Sequence, residues 1–148
     1  MSFNVLIVDD SETMRAVIRK AVTLSGVPVN EFREAGNGLE ALAILEEAWM
    51  DVVLTDINMP EMGGMELLRA IKTNRDLENV PVIFISTESS EIRKEEAARL
   101  GVAAYVKKPF LPETIRTTLL DVLNKAYEPR MAAVQGEAPS GESGDEDF

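Results

Sequence analysis

The sequence predicts an α/β fold of the open, doubly wound kind, with five parallel strands and five helices. Five short apolar, β-branched runs appear, at 4–8, 29–35, 51–55, 80–85 and 102–106, each followed by a stretch of helical period. Apart from 29–35, which carries Glu31, Arg33 and Glu34, the runs are largely apolar rather than alternating, as expected of strands covered on both faces. The five β/α units fill about 127 residues, and a closed barrel would need eight such units.

Each helix has its own signature. After the first run, Met14, Val17, Ile18, Ala21 and Val22 form a stripe that ends near Gly26. After the second, Leu39, Leu42, Leu45 and Trp49 recur on one face, and Met65, Leu68 and Ile71 serve the third. Ile115, Leu119, Val122, Leu123 and Ala126 repeat the pattern after the fifth run, with Pro112 suited to a first helical turn. The fourth helix, over 91–100, reads EIRKEEAARL and has few large apolar anchors, mainly Ile92 and Leu100. It is expected to be held loosely, either as an ordinary solvated helix or as an element that shifts with ligand state.

Composition then excludes several chemistries. The chain has no cysteine and no histidine, which removes disulfides, thiolate metal sites, the usual zinc ligand and any Ser-His triad. A formal net charge of −11 argues against nucleic acid as a direct partner. The opening MSFNVLIVDD has no basic region followed by a long apolar stretch, so neither a signal peptide nor membrane insertion is expected, and the protein is placed in the cytoplasm. At 148 residues one folded domain is expected, with too few residues for a second full one. The domain division is therefore 1–127 as the folded body and 128–148 as an acidic tail, expected to be disordered. The tail is rich in Gly, Pro and Ser, and its six acids against one arginine carry five of the net negative charges.

In open α/β sheets the functional crevice lies beyond the C-terminal ends of the strands. The first run ends in Asp9 and Asp10, the third in Asp56, the fourth in Ser86 and the fifth in Lys108 before Pro109; the second contributes nothing of this kind. Three crowded carboxylates repel one another unless a cation neutralises them. An oxygen-only donor set without His or Cys selects a hard ion, and Mg²⁺ suits it. A carboxylate can also attack phosphorus to give an aspartyl phosphate, a transfer that depends on positioning and charge neutralisation.

Each motif also has a plainer structural reading. Asp9-Asp10 by itself is compatible with a strand-end turn and helix cap, Asp56 with turn chemistry ahead of Met-Pro, and Tyr105 with core packing. Ser86 could cap the next helix and has Thr87 as a rival hydroxyl; the register from Pro81 favours Ser86. Lys107 rivals Lys108, which is selected by adjacency to Pro109.

Taken together, LIVDD, LTDINMPEMGG, FISTE and YVKKPF resemble the receiver domain of two-component response regulators, over roughly residues 3 to 126. VDDSETMR, Asn58 and Glu88 are of the type found in its stand-alone chemotaxis members. The resemblance implies a flavodoxin-like sheet of order 2-1-3-4-5. It implies that Asp56 is the phospho-acceptor, supplied by a histidine kinase, and that Asp9, Asp10, Asp56 and the backbone carbonyl of Asn58 assemble Mg²⁺. Ser86 would be the switch hydroxyl, Lys108 the phosphoryl contact with a cis bond to Pro109, and Tyr105 the aromatic switch residue. Asn58 and Glu88 would tune phosphoryl lifetime. The output would be a changed helix 4/strand 5/helix 5 face that binds a partner, a flagellar motor switch or a phosphatase in a chemotaxis protein. Such a protein is a switch rather than an enzyme, catalysing only its own phosphorylation and dephosphorylation. The alternative within the family is a phosphorelay intermediate that passes its phosphoryl group to another protein's histidine.

Two departures stand out. Ile57 replaces the Trp that chemotaxis members often carry beside the acceptor, so Trp49, the only Trp, is expected to report metal binding poorly. Leu111 occupies the start of the fifth helix, where a side-chain oxygen cap is expected. Readings outside the family lack their key residues. A haloacid-dehalogenase-type site needs an Asp where Ser11 stands, and no flavin-phosphate loop follows the first strand. A pseudo-receiver is disfavoured because all the acceptor-site residues are present.

Overall fold

Alternating apolar runs and helical stripes become alternating elements in the computed structural model, which describes residues 2–127. They are β1 (Phe3–Val8), α1 (Glu12–Leu24), β2 (Val29–Ala35), α2 (Gly38–Glu47), β3 (Val52–Thr55), α3 (Gly64–Lys72), β4 (Val82–Ser86), α4 (Glu91–Leu100), β5 (Ala104–Lys107) and α5 (Pro112–Ala126). The tail assigned to 128–148 lies outside the described residues. All pairings are parallel, in the order β2-β1-β3-β4-β5. The winding direction reverses between β1 and β3, so a crevice opens beyond their C-terminal ends.

Period-two alternation within the strands divides the core into two layers. Val5, Ile7, Leu54, Ile83 and Ile85 pack with Ile18 and Val22 of α1 and Ile115 and Leu119 of α5. Leu6, Val8, Val53, Val82 and Phe84 pack on the other face with Ala41 and Leu45 of α2, Leu67, Leu68 and Ile71 of α3, and Ala97 of α4. Each such fully buried Leu, Ile or Val contributes roughly 1.5–3 kcal/mol relative to an exposed one. The strand end opposite the crevice is tied by Asp51, whose buried carboxylate accepts from the Asn4 N–H at 2.7 Å and the Trp49 Nε1–H at 2.9 Å.

Helical expectations need correction in α2, α1 and α4, and at Ala126 of α5, which is exposed. In α2 the buried residues are Gly38, Ala41 and Leu45, whereas Leu39 is 52% and Trp49 54% exposed. The helix ends at Glu47 and Ala48 is extended, which takes Trp49 off the helical face. The Gly38 N–H donates to the Met62 carbonyl at 2.8 Å, so the first turn presents Gly38 to the protein and Leu39, one residue round, to solvent. In α1, Val17 of the predicted stripe is 46% exposed, while Ile18, Ala21 and Val22 are buried. In α4 the expected anchor Ile92 is 75% exposed and Ala97 is the buried residue, so the helix is attached even more lightly than its sequence implied.

The weak start of α5 is present as expected. Leu111 takes N-cap geometry (φ −92°, ψ 148°) with no side-chain cap bond and is 70% exposed. Leu111→Ser adds an acceptor for an orphan helical N–H and sacrifices little packing. It is expected to raise unfolding free energy by about 1 kcal/mol, read as a higher urea midpoint at unchanged slope; an unchanged midpoint would contradict this.

Candidate functional site

The register of the sheet brings the strand ends level. Val8 pairs with Thr55 and Ser86 with Lys107, so the residues that follow each strand meet at one edge. Asp9 is buried and Asp10 exposed, with Asp56 half-buried beside them; one carboxylate oxygen of each lies within 4.8 Å of the others. Lys108 reaches into this group. Its Nζ donates to Asp9 Oδ2 at 2.8 Å and to Asp56 Oδ2 at 3.2 Å, with only 9% of its side chain exposed. Burial, the largest influence, works to lower the pKa of the Lys108 ammonium. The hydrogen bond to Asp9 and the charges of Asp56 and Asp9 outweigh it, so the pKa sits above its ordinary value.

Local backbone bonds orient each carboxylate. Asp9 Oδ1 accepts from the Ser11 N–H at 2.9 Å, while Ser11 Oγ caps α1 by accepting from the Met14 N–H. Asp56 Oδ1 accepts from the Ile57 N–H at 2.7 Å, and Thr55 Oγ1 donates to the Asp56 carbonyl at 2.9 Å. The following loop is tightly wound: the Met62 N–H donates to the Pro60 carbonyl, and Glu61 between them has a φ of 69°. Asn58, exposed on this loop, has a carbonyl oxygen that accepts no hydrogen bond among the described residues. The donor set is all oxygen and suits a hard dication. The acidic cluster of Asp9, Asp10 and Asp56 could hold such a metal.

The remaining predicted residues form a second group beside the first. Ser86 is fully buried at the end of β4, and its Oγ accepts from the Glu88 N–H at 3.1 Å. The Glu88 carbonyl in turn accepts from the Tyr105 hydroxyl, and the Tyr105 ring stands edge-on to Phe84 at 6.1 Å. Burial, then the charges of Glu88 and Asp56, raise the Tyr105 pKa, with Arg93 opposing, so the phenol remains a donor. The two rivals turn away: Thr87 and Lys107 are both exposed. The Lys108–Pro109 peptide bond is cis, as the resemblance implied.

The sequence model of the response regulator receiver domain matches residues 5–120. The chain belongs to this family. As a receiver domain it is 38% identical to a chemotaxis protein CheY homolog of Campylobacter jejuni, across 80% of this chain and 90% of the relative. It is also 38% identical to chemotaxis protein CheY-3 of Vibrio cholerae, across 86% of this chain and 93% of that one. Among solved structures, the chemotaxis response regulator CheY4 of Vibrio cholerae superposes with a TM-score of 0.74 at 35% identity, covering 83% of this chain and all of that one. The flavodoxin-like topology and the response-regulator resemblance both hold. No helix among the described residues is long and apolar enough to cross a membrane.

Two contributors to this receiver site were not singled out in the sequence. Gly64 is buried where α3 begins, so close to the Asp56 backbone that a side chain has no room there. The signal was the Gly-Gly pair in a loop. Arg15, in the first turns of α1, donates from Nη1 to the Asp9 carbonyl at 2.6 Å. Its signal was faint: a cation close to a helix N-terminus, where the macrodipole disfavours it.

Proposed function

We propose that this receiver accepts a phosphoryl group from a histidine kinase onto Asp56 in a Mg²⁺-dependent reaction and then displays an altered surface to a protein partner. The observation that supports it most is the Asp56 carboxylate held at 3.2 Å from Lys108 Nζ, with Asp9 and Asp10 converging on the same point. In the transfer, an Asp56 carboxylate oxygen attacks phosphorus, the phosphorus–nitrogen bond of the donor phosphohistidine breaks, and the imidazole leaves with that electron pair. A bound Mg²⁺, held by Asp9, Asp10, Asp56 and the Asn58 carbonyl, would neutralise charge on the phosphoryl oxygens. Lys108 contributes a second fixed positive charge. The Ile57 N–H keeps the acceptor carboxylate from rotating away, and Thr55 Oγ1 ties down the Asp56 main-chain carbonyl.

For the output, Ser86 Oγ exchanges its bond from the Glu88 N–H for one to the new phosphoryl group. That shift disturbs the loop on which the Tyr105 hydroxyl is anchored. The light attachment of α4, with Ala97 as its buried residue, makes the α4/β5/α5 face the element able to respond. Asn58 and Glu88 flank the reacting carboxylate and the switch hydroxyl and would tune phosphoryl lifetime. The similarity to chemotaxis proteins favours a cytoplasmic role in chemotaxis signalling, with a flagellar motor switch or a phosphatase as target.

Incubation with acetyl phosphate and Mg²⁺, acid quench and intact-mass measurement tests the chemistry. The expected result is a single phosphoryl adduct, lost in Asp56→Asn and lost without metal. If no adduct forms and beryllofluoride leaves the amide resonances around Ser86 and Tyr105 unmoved, the proposal fails.

A further inference from the structure

We propose that Arg15 is a positioning residue for the acidic pair Asp9-Asp10, and that the Arg15–Glu34 ion pair thereby sets the affinity of the site for Mg²⁺. Asp10 needs such help more than its neighbours. Asp9 is anchored by the Ser11 N–H and Lys108, and Asp56 by the Ile57 N–H and Lys108. Asp10 is exposed, and its carboxylate makes no hydrogen bond among the described residues. Its direction therefore follows from the peptide that joins it to Asp9. The Asp9 N–H end of that segment is fixed to β2 by donation to the Ala35 carbonyl at 3.0 Å. The carbonyl of the Asp9–Asp10 peptide is fixed by Arg15 Nη1 at 2.6 Å.

Arg15 is itself immobilised. Its side chain is only 18% exposed, and Nε donates to Glu34 Oε1 at 2.9 Å, so one guanidinium bridges β2 to the strand-end peptide. A planar fork can make both bonds at once, and an ammonium on a flexible stem cannot reproduce that geometry. Arg19 also pairs with Glu34, at 3.3 Å, but does not touch the Asp9 carbonyl. Supports of this kind, one bond removed from a metal ligand, typically change metal affinity by roughly 10–100-fold.

The sign of the effect separates positioning from simple charge. Arg15 is a cation beside a cation site, so on Coulombic grounds alone its removal tightens Mg²⁺ binding. A positioning role predicts the reverse, because a freed Asp9–Asp10 peptide costs the metal an ordered carboxylate.

This inference rests on the Mg²⁺-dependent reading of the site, and one titration distinguishes the two. The full-length chain and its Arg15→Ala, Arg15→Lys and Arg19→Ala variants are titrated with Mg²⁺ alone, following the amide resonances of Asp10, Ile57 and Asn58. Expected is a loss of roughly tenfold or more in affinity for Arg15→Ala, a partial loss for Arg15→Lys, and the parent value for Arg19→Ala. If Arg15→Ala does not fold, Arg15→Lys, which keeps the charge and the aliphatic stem, decides by the same titration. Parent-like or tighter binding by the folded Arg15 variants overturns the positioning role and leaves the metal site standing. A parent chain with no saturable Mg²⁺ response overturns the metal reading and the Arg15 role together.

Discussion

Gly64→Ala is expected to destabilise the protein by about 3 kcal/mol or more and to disturb Asp56, the proposed phospho-acceptor, directly. A Cβ at this position would lie 2.2 Å from the Asp56 carbonyl oxygen, 2.9 Å from Ile57 Cα and 3.1 Å from the Asp56 carbonyl carbon. All three are backbone atoms, so no side-chain rotation relieves the clash. The loop has little freedom to retreat, because the Gly64 N–H donates to the Ile57 carbonyl at 2.8 Å and the Asp56 N–H to the Val8 carbonyl at 2.9 Å. Gly38 provides the comparison. Its Cβ would meet Met62 at 2.5 Å, but the nearest atom is a flexible side-chain Cγ, so Gly38→Ala should cost markedly less. Urea denaturation of the two variants, with amide shifts of Ile57 as the local readout, checks both statements. A Gly64→Ala protein within 1 kcal/mol of the parent would show that the loop yields far more easily than its bonding pattern implies.

The contrast between these glycines shows where sequence reading succeeds and where it stops. The inner strands were legible because strands buried on both faces must be continuously apolar, whereas the edge strand β2, VNEFREA, buries only Ala35. The chemistry-bearing residues follow the inner strands and β5 at fixed places. The convergence of Asp9, Asp10, Asp56 and Lys108 followed from topology alone. Boundaries were less legible where an apolar residue serves a different purpose. Val102, read as the start of the fifth strand, instead completes the end of α4. Gly101 adopts φ 92°, and the Val102 N–H donates back to the Ala97 carbonyl at 3.0 Å. Helical faces were misread in α2 for a related reason. Spacing identifies apolar positions, but Gly38 and Ala41 are buried because close approach requires small residues, and small residues carry no hydrophobic signal. Arg15 was missed because its partner is a backbone carbonyl, and nothing in a pattern of side chains marks which carbonyl is left for an arginine to hold.

Lys108→Met should lower stability by about 3 kcal/mol in metal-free solution, and Mg²⁺ should restore part of that loss. Met is close to Lys in length, so packing of the stem is retained and the loss is chiefly of the cation. Asp9 is 1% exposed and would be left with the Ser11 N–H but no counter-charge, facing Asp56 across the space that Nζ occupied. In the parent the Lys108 pKa is raised, so its stabilisation is fully present below the unfolded-state value of about 10.4 and disappears only as pH rises through the higher folded value. Parent and variant should therefore differ by the same amount across the neutral range, and the gap should narrow only in strong alkali. Metal acts differently. In the variant a dication takes over charge neutralisation without competing with an ammonium for the same carboxylates, so it stabilises Lys108→Met more than the parent. Phosphoryl uptake from acetyl phosphate should nonetheless fall roughly hundredfold, because a single dication does not replace the second fixed positive charge that Lys108 sets 3.2 Å from Asp56 Oδ2. Urea curves with and without Mg²⁺, paired with adduct formation rates, measure both effects. An equal deficit in the two media would mean that the lysine and the metal do not share the pocket.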